Sequence, residues 1–183
     1  MNEKPRSVYE RGAEDGLILG PLMGCAMLLT GTTAYHGWAF VPAVCLLLAV
    51  PVCLYVRLAR SYMAGGCRDT LSALWLEGIC AFFFGGLIMA IICYAAMRWG
   101  KPAFVADQFR MVIDVYSASP QPEAQQFAAT LQKAVDSRAL PTPIEISLEL
   151  LYTAVFSGSL CSVLFAAIIR RRNRPGTPPP FNN

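Results

Sequence analysis

Apolar positions in this chain gather into four long runs rather than into short amphipathic stripes. The clearest is Leu76 to Met97, twenty-two residues in which Glu77 is the only charge, with Trp75 and Trp99 at its two ends and Arg98 and Lys101 closing it. At 1.5 Å per residue a helix of that size is roughly 33 Å long, enough to cross a hydrocarbon core of about 30 Å. Indole rings favour the headgroup boundary, so the two tryptophans mark where the helix leaves the bilayer. The pattern predicts a transmembrane helix over 76–98 and three more over 16–35, 38–56 and 143–169. The remainder divides into an N-terminal segment 1–15, a connection 57–75, a polar excursion 99–142 and a basic, proline-rich tail 170–183.

Within the excursion the spacing changes to that of amphipathic helices. Phe104, Val105, Gln108, Phe109, Val112, Val115 and Tyr116 recur at helical spacing, with Asp107, Arg110 and Asp114 on other faces, and Ser119-Pro120-Gln121-Pro122 then interrupts the pattern. Phe127, Ala128, Leu131 and Val135 form the stripe of a second helix from Glu123 to about Ser137. The fold class is thus all-α: a polytopic membrane protein of four transmembrane helices, with a helical hairpin between the third and fourth. The fourth span has a marked start. Thr142-Pro143-Ile144-Glu145 combines a capping Thr, a Pro at the first helical position and a Glu three residues after the cap.

The first span carries Gly12, Gly16, Gly20 and Gly24, four residues apart and so on one slowly drifting stripe where another backbone can approach closely. The contact is either with a second subunit or with another helix of the same chain. Pro21 and Pro51 fall inside predicted helices and are expected to bend them. Only His36-Gly37 separates the first two spans, which demands an antiparallel pair.

Charge sets the orientation. Lys and Arg number three before the first span, three in 57–75 and four in the tail, against none at His36-Gly37 and five spread over 98–142. By the positive-inside rule both termini are cytoplasmic and the hairpin is extracytoplasmic. A hydrophobic content of 55% with 15% charged residues agrees with a membrane protein, and a net charge of +3 gathered at helix ends does not point to nucleic acid.

The middle of the chain then carries a resemblance. Arg60-Ser61-Tyr62-Met63-Ala64-Gly65-Gly66, Trp75-Leu76-Glu77-Gly78-Ile79, the run from Phe82 to Tyr94, and Lys101-Pro102-Ala103-Phe104-Val105 are similar to an uncharacterised family of small four-helix bacterial inner-membrane proteins, a domain of unknown function. The resemblance implies the four-span architecture and the bacterial inner membrane, and it carries no catalytic residues.

Chemistry is sparse. His36 is the sole histidine, no C-x-x-C occurs among seven cysteines, and no nucleophile, metal or phosphate-loop motif is present, so the reading is of a non-enzyme with no cofactor and no metal. The cysteines read as small packing residues. Glu77 is the polar residue of most interest inside a span: a proton- or cation-coupled site, a partner for Arg57, Arg60 or Arg68, or a carboxylate within reach of interfacial water. Two function classes remain. One is an interaction or assembly protein that uses the glycine stripe and a hairpin face of Phe104, Phe109, Val112 and Tyr116 to meet a membrane-protein partner or another copy of itself. The other is an oligomeric, transporter-like protein for an amphiphilic or lipid-linked substrate.

Overall fold

The computed structural model describes residues 7–32, 37–65, 70–100, 102–137 and 139–172. Six α-helices follow one another: α1 (Val8–Thr32), α2 (Phe40–Ala64), α3 (Leu71–Ala95), α4 (Phe104–Ser117), α5 (Pro122–Asp136) and α6 (Pro143–Arg172). A 3-10 turn, Gly37–Ala39, leads into α2, and a π-helical turn, Ala96–Gly100, extends α3. No strand occurs among the described residues. Four helical stretches, Val8–Thr32, Gly37–Ala64, Leu71–Gly100 and Pro143–Arg172, are long and apolar enough to cross a membrane, and the chain is an all-α polytopic membrane protein. His36, Gly66, Cys67, Arg68, Lys101, Arg138 and the tail beyond Arg172 lie outside the described residues.

The helices run past the apolar runs. α1 begins at Val8 rather than near 16, because Ser7 and Glu10 cap it reciprocally: the Ser7 N–H donates to Glu10 Oε2 at 2.8 Å and the Glu10 N–H to Ser7 Oγ at 3.2 Å. Most of the expected 57–75 connection is likewise helical, since α2 continues to Ala64 and α3 starts at Leu71. There the Thr70 hydroxyl accepts the Ala73 N–H at 3.2 Å. Pro21 and Pro51 both lie inside continuous helices.

The chain divides into two compact units. One comprises residues up to Ile92 together with Leu150 onward, and the other Cys93–Glu149. In the first, α1 and α3 run parallel with their backbones close. A Cβ added at Gly12 would stand 2.5 Å from Cys80 Cβ, at Gly16 2.7 Å from Phe84 Cβ, at Gly20 2.6 Å from Ile88 Cβ, and at Gly24 2.9 Å from Ile92 Cδ1. The stripe is thus occupied, step by step, by α3 of the same chain. On its other side α3 meets α6 running the opposite way, with Gly78 against Ser162 and Gly158 against the Phe82 ring. α2 meets α6 through an edge-to-face contact of Tyr55 and Phe165, centroids 5.7 Å apart. Leu19, Leu54, Leu58 and Leu74 are fully enclosed. Leu17, Leu48, Val52 and Phe156 are exposed, as a surface covered by lipid tails requires.

In the second unit, α4 and α5 form a hairpin. Val105, Ile113 and Ala128 are its buried residues, and Tyr116 meets Phe127 edge-on at 5.2 Å between centroids. Pro122 sits at the start of α5 behind an extended Gln121, and Gln125 Nε2 donates back to the Ser119 carbonyl at 3.1 Å. At the start of α6 the Thr142 N–H donates to Glu145 Oε2 at 2.7 Å and the Glu145 N–H to Thr142 Oγ1 at 3.4 Å, the capping box read from the sequence.

Candidate functional site

Where α1 begins, α2 ends and α3 begins, three helices bring their charged residues together. Arg11, Glu14 and Asp15 come from α1, Arg57, Arg60 and Ser61 from α2, and Glu77 from α3. They line a pocket of about 310 Å³. Arg57 Nε reaches Asp15 Oδ1 at 2.5 Å, and Arg11 divides its guanidinium between Ser61 Oγ at 2.8 Å and Glu77 Oε2 at 3.4 Å. The two carboxylates are enclosed, Asp15 at 5% and Glu77 at 0% relative exposure, so each needs the cation beside it. A planar guanidinium suits this work because its charge and donors point several ways at once: Arg11 ties α1 to α2 by a hydrogen bond to Ser61 and to α3 by its ion pair with Glu77.

Among the described residues Glu77 pairs with Arg11, which the sequence reading did not name; Arg57 goes to Asp15 and Arg60 is exposed, while the expectation of Arg68 falls outside the described residues. Nor is Glu77 a carboxylate in interfacial water, because α1 covers it: the Glu77 carbonyl itself lies under Gly12. The sequence reading passed over Asp15. A usable signal was present, since an acid three residues after Gly12 and next to Gly16 falls on the same buried face as the glycines.

The hairpin face read from the sequence divides. Phe104 and Phe109 are half-buried, while Val112 and Tyr116 are exposed at 39% and 43%. Val105 and Ile113 supply the buried contacts of α4 instead. Val115 and Phe127 are also exposed, and with Val112 and Tyr116 they make one apolar strip, because 112, 115 and 116 are neighbours on a helix and Tyr116 touches Phe127. Asp107 and Arg110 form an exposed pair elsewhere on α4, 3.9 Å apart.

The family description protein of unknown function (DUF4199) matches residues 14–171. The chain belongs to the DUF4199 family. That match runs from within the first membrane-crossing helix, past Arg11 and Gly12, to the last turn of the fourth, and takes in the hairpin, Asp15, Arg57 and Glu77. No curated protein and no solved structure matches the chain.

Proposed function

We propose that this DUF4199 protein is a small interaction or assembly protein of the bacterial inner membrane, without enzymatic activity, that docks a membrane-protein partner through its hairpin. The observation that carries the reading is the exposed strip of Val112, Val115, Tyr116 and Phe127 on a hairpin whose own core is already closed by Val105, Ile113 and Ala128. An apolar strip left over after the fold has satisfied itself is what a docking face requires. A photo-crosslinking residue at position 115 in living cells is expected to give a discrete protein adduct, and one at the exposed Gln126 none. Lipid adducts alone at 115, or equal protein adducts at both positions, would refute the docking reading.

The orientation belongs to the same proposal and rests on the distribution of Lys and Arg: both termini and the α2–α3 connection inside, the hairpin outside. In a variant cleared of native cysteines, Gln125→Cys is expected to react with an impermeant maleimide once any outer barrier is passed, and Ser72→Cys to stay unlabelled. The opposite pattern reverses the topology.

The transporter-like reading has the charged pocket in its favour, since it is concave and polar at the end of a membrane bundle. It has less support. The pocket's ion pairs already serve to hold three helices together, and the enclosed Leu19 and Leu54 stand about one turn from Asp15 and Arg57, on the side toward the middle of α1 and α2.

A further inference from the structure

A second cavity, of about 200 Å³, lies near the middle of α1, α2, α3 and α6. Its floor is apolar and buried: Met23, Val50, Phe82, Met89, Ala154 and the Gly158 backbone. Among the described residues no charged side chain lines it. Its hydroxyls are those of Thr153 and Ser157, and the Ser157 hydroxyl is spent on its own helix, donating to the Thr153 carbonyl at 2.7 Å. Water needs two to four polar partners, and apolar cavities of about 150 Å³ stay dry and take up benzene-sized guests.

The exposed residues of the lining say where the cavity opens. Leu47 of α2 is 50% exposed, and Thr153 and Ser157 of α6 are exposed too, whereas the α1 and α3 contributors Met23, Phe82 and Met89 are buried. The mouth is therefore on the side of the bundle between α2 and α6, at a depth where the surrounding medium is hydrocarbon. Toward the charged pocket the way is closed: Leu19 and Leu54, both fully buried, stand between Asp15 and Met23 on α1 and between Arg57 and Val50 on α2.

We propose that this cavity is a binding site for a single alkyl chain of a bilayer lipid, which enters sideways between α2 and α6. The occupant is the chain and not the headgroup, because the described lining has no cation to neutralise a phosphate and its one uncommitted hydroxyl, that of Thr153, is at the exposed mouth. The thioethers of Met23, Met27 and Met89 suit a guest without fixed shape, being flexible and polarisable. The site is independent of the hairpin strip and stands whether or not a protein docks there.

The test uses the full-length protein in phosphatidylcholine vesicles doped with a phosphatidylcholine that carries a diazirine midway along one acyl chain. After irradiation, adducts are mapped by mass spectrometry. Adducts on Met23, Phe82 and Met89 are expected alongside those on the outward Leu48. In Ser157→Phe, which plugs the mouth, floor adducts should drop at least tenfold with those at Leu48 unchanged. Ala26→Leu, which fills the cavity from α1, should do the same, and covers the case in which the first variant does not fold. Floor residues without adducts in the wild type, or floor adducts undiminished in a folded plugged variant, would overturn the site.

Discussion

Gly16→Leu is expected to cost this protein far more thermal stability in detergent than Leu17→Ala, although the two changes are adjacent. A Cβ at position 16 would stand 2.7 Å from Phe84 Cβ and 3.0 Å from both the Ala81 carbonyl oxygen and the Gly85 nitrogen. Two of those three neighbours are backbone, which has no rotamer to give, so α1 and α3 must separate. Forcing extra bulk into a packed contact costs roughly 1–3 kcal/mol, and the upper end or beyond is expected where backbone is what it meets. Leu17 is 64% exposed toward lipid, and its truncation should stay within about 0.5 kcal/mol. Leu19 would be a poor control despite its place beside Gly20, because it is fully enclosed. Equal melting shifts for the two variants would mean that α1 does not rely on α3 along its glycines.

Removing the cation from Arg57 should be nearly as damaging, by a different route. Arg57→Met leaves the Asp15 carboxylate in a site it enters only because a guanidinium is bonded to it. Stranding one member of a buried pair costs about 3–5 kcal/mol in a dry interior, and about 3 kcal/mol is expected here because Arg57 keeps 29% of its side chain exposed. The double variant Asp15→Asn with Arg57→Met should recover most of that loss, since an amide and a thioether need no counter-charge. Melting temperatures of the wild type, both single variants and the double variant measure the coupling directly. Additive losses would show that the two groups do not depend on each other.

Much of the architecture was legible because membrane helices are written in long apolar runs, and because their ends carry local signals. The Thr142–Glu145 box and the turn around Pro122 were read correctly from a few residues each. Ser7-Val8-Tyr9-Glu10 has the same form as the Thr142 box, and α1 starts there; it went unread because Arg6, Glu10, Arg11, Glu14 and Asp15 made the segment look too polar to belong to a span. The pairing of Glu77 with Arg11 was not legible in the sequence. Arg11 and Glu77 meet because α1 and α3 lie side by side and parallel, and that adjacency is decided by packing of the glycines against Ala81 and Gly85, not by any local pattern. The α4 stripe was only half readable for a related reason. Helical spacing finds the apolar face, but whether Val105 and Ile113 or Val112 and Tyr116 turn inward depends on where α5 folds back.

The placement of the ion pairs also bears on how the protein is made. A ribosome delivers α1 and α2 first, and these two helices already own both members of the Asp15–Arg57 pair, so a nascent chain that stops after Ala64 carries no stranded acid of that pair into the bilayer. α3 is different. It brings Glu77, and the cation that accompanies it was synthesised some sixty residues earlier on Arg11. A third helix that leaves the translocon against α1 meets that cation at once, whereas one that leaves alone would carry its carboxylate into hydrocarbon unpaired with Arg11.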